Sequence, residues 1–213
     1  MKFYGYFRSS AAYRCRIAFN LKGVRPEFIA VNLRTGEQKA EAFLDLNPQG
    51  LVPLLDTGTA RLTQSMAIIE WLDETHPAPP LLPTDAEARA HVRAFAQIIG
   101  CDIHPLQNLR VLKYLKAQYG LDQDGLDAWC RNWIEPGLGA CEAMAAAQTH
   151  GGAFAFGDGP GLAEILLVPQ MFSAERFHLD LTPFPRLNAI RAAAEALPAF
   201  AEAHPARQPD WIS

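Results

Sequence analysis

The sequence predicts two domains of different class, a small α/β domain followed by an all-helical one, and three observations carry that prediction. Short runs rich in aromatic and β-branched residues are confined to the chain before Ser65. Prolines and turn residues crowd the stretch His76-Pro77-Ala78-Pro79-Pro80-Leu81-Leu82-Pro83. Beyond it, apolar residues recur only at helical spacing. The boundaries read as residues 1–80 for the first domain and 86–213 for the second.

Lys2 to Tyr6 is a short aromatic run and predicts a strand, and Arg8-Ser9-Ser10 leads from it into helix formers that run from Ala11 to Lys22 and stop at Gly23. Glu27 to Val31 is a second strand, so the opening is a β-α-β unit, whose two strands should lie parallel because a crossover helix joins them. Ala40 to Leu46 predicts a short helix ending before Asn47-Pro48. Val52 to Leu55 and Ala60 to Thr63 flank Asp56-Thr57-Gly58, a hairpin signal, and Ser65 is expected to cap a helix that runs to Thr75. In the second domain, helices are predicted over Ala86 to Ile99, His104 to Tyr119, Gly125 to Ala147, Leu162 to Phe177 and Pro185 to Ala203.

The totals exclude several function classes. Of 213 residues, 49% are hydrophobic, enough for a substantial core, and the formal net charge of -4 argues against a general nucleic-acid binder with a basic face. Cys15, Cys101, Cys130 and Cys141 are scattered, with neither a C-x-x-C pair nor histidines at zinc spacing, so they read as reduced thiols and no metal site is expected. The first residues lack the long apolar run of a signal peptide, and no stretch approaches the length of a membrane span, so a soluble cytoplasmic protein is expected.

A β-α-β unit followed by β-β-α, with Pro53 opening the third strand, is the pattern of the thioredoxin-like fold, and a helical domain attached through a proline linker resembles the cytosolic glutathione transferases. The motifs narrow the resemblance to the zeta class. Tyr6-Phe7-Arg8-Ser9-Ser10-Ala11-Ala12-Tyr13-Arg14-Cys15-Arg16-Ile17-Ala18 resembles that class's S-S-C-x-x-R-V-R-I-A signature. Leu46-Asn47-Pro48, Val52-Pro53, Gln64-Ser65, the stretch Pro105 to Leu112 and the stretch Leu167 to Pro183 follow in the family's order across both domains. Three positions depart from the pattern. The family's cysteine falls at Ala11, a glutamine falls at Leu51, and the T-x-A-D helix start reads Gly161-Leu162-Ala163-Glu164, where Glu164 keeps the acidic half of a capping box.

The resemblance implies glutathione as cofactor and, as activity, cis–trans isomerisation of a maleylated keto acid, maleylacetoacetate or maleylpyruvate. Ser9 and Ser10 are then the catalytic pair. A glutathione thiol has an ordinary pKa near ~8.5, and hydroxyl donors together with the N–H groups of a helix N-terminus favour its thiolate. Taken without the resemblance, Ser-Ser before a helix is a cap. The cofactor site would comprise Ser9, Ser10, Gln38, Val52, Pro53, Gln64, Ser65, His104 and Asn108. Gln64-Ser65 opens a helix and suits the γ-glutamyl carboxylate, Val52-Pro53, with an implied cis bond, offers an extended edge, and Gln38 is placed at the glycine carboxylate or, on its own residues, as solvated surface. Arg8, His104, Asn108, Arg110 and Arg176 form the substrate set, because a dicarboxylate calls for planar, permanently charged donors. His104 and Asn108, four apart, are expected on one helix face. Arg14 and Arg16 read as structural ion-pair partners, and Cys15 and the pair Trp129/Trp133 as packing. A general glutathione transferase or α-halo acid dehalogenating enzyme uses the same thiolate and arginines, and Ala11 and Leu51 leave a non-catalytic binding module open. The family also implies a homodimer.

Overall fold

A computed structural model describes residues 1–148 and 151–212. The chain divides into two compact units, Met1–Pro80 together with Ala196–Ser213, and Leu81–Glu195. The sequence reading assigned everything after residue 86 to the helical domain, whereas the contacts group the C-terminal stretch with the α/β unit. The reason is α9, Pro198–Ala203, which packs on α1, Ser10–Leu21, and buries Phe200 completely.

The first unit is a four-stranded sheet of order β2-β1-β3-β4, with β1 Lys2–Gly5, β2 Glu27–Ala30, β3 Leu54–Asp56 and β4 Arg61–Thr63. β1 pairs with β2 in parallel, as a β-α-β crossover requires, and β3 runs antiparallel to both β1 and β4. Alternate side chains of β1 leave opposite faces. Phe3 meets Phe19 of α1 with ring centroids 5.0 Å apart, while Tyr4 meets Phe43 of α2, Glu41–Leu44, at 6.2 Å. On the first face lie α1 and α3, Ser65–Thr75; on the second, Val31, Phe43 and Leu54 close a smaller core.

The helical unit holds α4 Ala86–Gln97, α5 Leu109–Tyr119, α6 Gln123–Ala146, α7 Leu162–Arg176 and α8 Pro185–Glu195. Helix α7 is buried from Leu162 to Met171 without interruption, the pattern of a central helix apolar all round. Helix α4 runs on into a wider π turn, Ile98–Ile103, against which α6 packs so closely that a Cβ at Gly137 would lie 2.4 Å from Ile103 Cδ1.

Two expected helices are broken. The one predicted over His104 to Tyr119 is a 3₁₀ turn, His104–Gln107, followed by α5, because Pro105 opens a tight turn and Asn108 adopts an extended backbone and caps α5. The one predicted over Pro185 to Ala203 divides into α8 and α9, since Pro198 forces Leu197 out of helical geometry, to ψ 137°.

Candidate active site

Ser9 stands at the N-terminus of α1 with an extended backbone, and its Oγ accepts from the Ala12 N–H at 3.2 Å. The cap that residue type alone suggests is therefore present, and in it Ser9 Oγ acts as an acceptor, which leaves the hydroxyl's own proton for another partner. Ser10 is the first residue of α1, and no acidic side chain of the helix itself occupies its first turn. Arg8 is exposed on the same turn. Ala11, where the related signature has cysteine, is buried.

The turn before α1 is held from beneath. Arg16, nearly buried, donates to the carbonyls of Phe7 at 3.0 Å, Tyr6 at 3.5 Å and Ala203 at 3.0 Å. Ion pairing was expected of it, but these partners are main-chain carbonyls, which a buried turn must satisfy. Burial pulls its guanidinium down to about 10, so it remains charged at neutral pH. Arg14 is buried as well and donates to Ser65 Oγ at 3.4 Å. Burial pushes the Cys15 thiol up to about 12, with weaker opposition from Arg14 and Arg16, so Cys15 is core and not a nucleophile. Cys130 and Cys141 are likewise raised to about 12 by burial, and only Cys101 is exposed among the four free thiols.

Ser65 was expected to cap α3. The N-cap is Gln64, held at φ 68°, and Ser65 is the buried first residue of the helix. The left-handed backbone at Gln64 turns its side chain outward, where Nε2 donates to Gln49 Oε1 at 2.8 Å. Gln49 in turn belongs to the turn after Asn47, whose Oδ1 accepts the Gln49 N–H at 3.2 Å, and its carbonyl accepts from Lys39 Nζ at 3.3 Å. Gly50, at φ +58°, lies so close to the Gln38 carbonyl that a Cβ there would sit 2.7 Å from that oxygen. Gln38, Lys39, Gln49 and Gln64 therefore share one neighbourhood. Gln38 is buried rather than solvated, and its Oε1 accepts no hydrogen bond. That spare acceptor suits a peptide N–H, while the amide's Nε2 end suits a carboxylate. The Val52–Pro53 bond is cis, and Val52 lies outside the β3 ladder. At Leu51, where the related motif has glutamine, only the carbonyl is engaged, by Asn47 Nδ2 at 2.7 Å. Sequence reasoning passed over Lys39 and Gln49; the available signal was a cation adjoining Gln38 and an amide inside the Asn47-Pro48 turn.

In the helical unit the substrate candidates sit at helix ends. His104 is half-buried in the 3₁₀ turn, and Asn108 Oδ1 accepts the Arg110 N–H at 3.1 Å. The two are not on one helix face, because the chain changes from 3₁₀ turn to cap to helix between them. Arg110 is exposed in the first turn of α5, and Arg176 is the exposed last residue of α7, its guanidinium 5.5 Å from the Phe177 ring centroid. The segment carrying His104 and Asn108 is braced twice. Trp129 Nε1 donates to the Leu106 carbonyl at 2.8 Å, and the buried amides of Gln107 and Gln170 bond at 2.6 Å. Trp129 and Trp133 meet edge to face at 5.7 Å, as packing residues do.

The start of α7 explains the third departure. A Cβ at Gly161 would lie 2.7 Å from the Leu81 carbonyl oxygen, the same oxygen that accepts the Leu162 N–H at 2.9 Å. A side chain at this position would therefore require the backbone to shift. Glu164 reaches back with both oxygens, to the Gly161 N–H at 2.8 Å and the Ala155 N–H at 2.7 Å. Burial raises its carboxyl above the ordinary range against the pull of these N–H groups. Among the described residues no cluster of histidine, cysteine or carboxylate side chains could hold a metal ion, and no helix is long and apolar enough to cross a membrane.

Residues 8–75 match the family model of the glutathione S-transferase N-terminal domain. Over 99% of both chains, the protein is 52% identical to a maleylpyruvate isomerase from a Ralstonia species. It is 46% identical to the maleylacetoacetate isomerase of Pseudomonas aeruginosa over 99% of this chain and 98% of that one. A solved holo structure of a maleylpyruvate isomerase, described as a bacterial zeta-class glutathione transferase, superposes with a TM-score of 0.98 at 52% identity over all of both chains. A maleylacetoacetate isomerase from Methylobacterium extorquens, solved with malonate and glutathione bound, superposes with a TM-score of 0.95 at 39% identity, also over the whole of both chains. With a thioredoxin-like first unit, a helical second unit and relatives this close over their full length, the chain belongs to the zeta class of the glutathione transferases.

Proposed function

We propose that this protein is a glutathione-dependent cis–trans isomerase that converts a maleyl keto acid, maleylacetoacetate or maleylpyruvate, to its fumaryl isomer. The observation that carries the proposal is the Ser9–Ser10 turn at the N-terminus of α1, in a chain whose full-length relatives are named for that reaction.

Glutathione, when bound, supplies the sulfur nucleophile that adds to the cis double bond and departs after rotation. Everything else falls to the chain. Ser9 and Ser10 donate hydroxyl protons toward the sulfur, and the first-turn N–H groups of α1 add the positive end of the helix dipole, so the thiolate is favoured near neutral pH. Ser65 and the first turn of α3 suit one carboxylate of the tripeptide, Gln38 and Lys39 the other, and the main chain at Val52-Pro53 its middle. His104 and Asn108 are assigned to the cofactor and substrate from the helical unit. Arg8, Arg110 and Arg176 are assigned to the carboxylates of the keto acid. A planar guanidinium suits that task because it can hold a carboxylate with two hydrogen bonds.

The test is a turnover assay with glutathione well below the concentration of a maleyl keto acid. Isomerisation gives many product molecules per glutathione and leaves the thiol titre unchanged. A general transferase or dehalogenating enzyme stops when glutathione is spent, and a non-catalytic module gives no product. The two isomerase substrates differ by one methylene, which a pocket converts into about 1–3 kcal/mol of discrimination, so kcat/KM for the pair measured side by side names the physiological one. The proposal extends to a homodimer in the cytoplasm, checked by sedimentation and by fractionation.

A further inference from the structure

The turn that carries the catalytic serines is tied to the far end of the chain. Several of its polar main-chain groups have partners outside the turn. The Tyr6 carbonyl accepts from the Ser9 N–H at 3.0 Å and from Arg16 Nη1, and the Phe7 carbonyl accepts from Arg16 Nη2. The Phe7 N–H donates to Asp210 Oδ2 at 2.8 Å, across 203 residues of sequence. Arg16 closes the loop, since its Nε donates to the carbonyl of Ala203, the last residue of α9. The Asp210 carboxylate also supports the Arg16 charge, raising it against burial. Asp210 is held in place by its own segment. Gln208 Nε2 donates to the carbonyls of Glu202 at 2.9 Å and His204 at 3.0 Å, and the Trp211 N–H closes a turn on Gln208 at 3.0 Å.

We propose that Asp210 is a positioning residue for thiolate activation, a C-terminal clasp that fixes the Phe7 main chain so that Ser9 and Ser10 meet the sulfur in register. Phe7 is buried and its N–H meets the part-buried Asp210 carboxylate, so removing that carboxylate takes away the donor's partner and the constraint that holds the turn in this register. Ser9 is coupled directly to that register, because its own N–H bonds to Tyr6, the neighbour of Phe7. The arrangement supplies no atom to the reaction; it sets where two hydroxyls and a helix N-terminus point. It rests on the assignment of Ser9 and Ser10 to the sulfur.

The experiment uses the full chain with glutathione and compares the wild type with Asp210→Ala, Asp210→Asn and Gln208→Ala. Ultraviolet absorbance of the bound thiolate is followed against pH, alongside kcat, glutathione affinity and amide hydrogen exchange of the peptide spanning Phe7 to Ser10. Asp210→Ala should speed exchange in that peptide and raise the bound thiol's pKa by about one unit, lowering kcat at neutral pH roughly tenfold and restoring it as pH rises. Glutathione affinity should change by less than about threefold, since the carboxylate anchors lie elsewhere. Asp210→Asn should recover most of the loss, because its amide oxygen still accepts from Phe7. Faster exchange with an unchanged thiol titration and unchanged kcat in Asp210→Ala overturns the proposal and leaves Asp210 a structural residue only. Should Asp210→Ala fail to fold, Gln208→Ala loosens the same segment and must move the titration in the same direction; no movement there also overturns the clasp. Ser9→Ala and Ser10→Ala run in parallel keep the two readings apart: if neither alters the titration, the serine assignment fails independently of Asp210.

Discussion

The α/β unit and the helical unit hold their candidate residues in different ways. In the first, the two helix entries are fixed by local geometry: Ser9 caps α1, Gln64 precedes α3 with a strained backbone, and Arg16 and Asp210 bind the turn before α1 between them. In the second, the cations assigned to substrate stand exposed at helix ends, Arg110 at the start of α5 and Arg176 at the end of α7, and it is their platform that is braced, by Trp129 and by the Gln107–Gln170 pair. A site that must lower a thiol pKa needs fixed dipoles, whereas a site that recognises carboxylates needs planar cations. On this account, mutations at the α1 N-terminus should act on the chemical step and mutations of Arg110 and Arg176 on substrate binding.

The largest expected effect tests the first half of that contrast. Replacing the serine that faces the sulfur, by Ser9→Ala or Ser10→Ala, should lower kcat by about 10²-fold, the usual loss for one donor to a reacting anion. Cys15→Ala should cost no more than a few-fold in kcat, since its thiol is pushed up to about 12. Elimination of turnover by Cys15→Ala in a folded protein would break the comparison.

Next come the arginines. Arg110→Ala and Arg176→Ala should each raise KM for a maleyl keto acid by roughly 10- to 30-fold, the loss of a charge-assisted contact, with glutathione affinity unchanged. Removing the substrate's remote carboxylate should cost a similar factor, and the two losses should not add if they delete one contact. Additive losses would assign that arginine elsewhere.

A smaller effect concerns the scaffold. Gly161→Ala puts a Cβ against the Leu81 carbonyl and should lower stability by roughly 1–2 kcal/mol, read from the urea midpoint. Glu164→Gln should alter the pH dependence of stability. Burial raises the Glu164 carboxyl, so the folded chain holds that proton more tightly than the unfolded chain does. Its contribution is therefore full below the unfolded value and declines as pH climbs toward the raised one. The wild type should lose stability relative to Glu164→Gln as pH is increased through that window, and parallel curves would contradict the assignment.

Much of this contrast was legible in the sequence, and unevenly so. The sheet order followed from a β-α-β unit plus a hairpin, because handedness and strand pairing leave few alternatives. The broken helices were legible at Pro105 and Pro198, yet periodicity continues through both sites and hides the breaks. Ser65 read as a cap since serine prefers that position, but tertiary contact with Arg14 draws it inside and leaves the cap to Gln64. Gly161 read as the first position of a T-x-A-D-like helix start, with no sign in the residues around it that a Cβ there would press on the Leu81 carbonyl. The Asp210 contact had no local signal at all, since it joins residues 203 apart.

The central claim is that the α1 N-terminus, and no protein thiol, activates the cofactor sulfur. The most direct measurement is the ultraviolet titration of glutathione bound to wild-type protein and to Cys15→Ala. The account predicts a bound thiol that ionises at least about one unit below its ordinary value near ~8.5, identically in the two proteins. An ordinary thiol titration in the wild type, or a depressed one that returns to ordinary in Cys15→Ala, would contradict it.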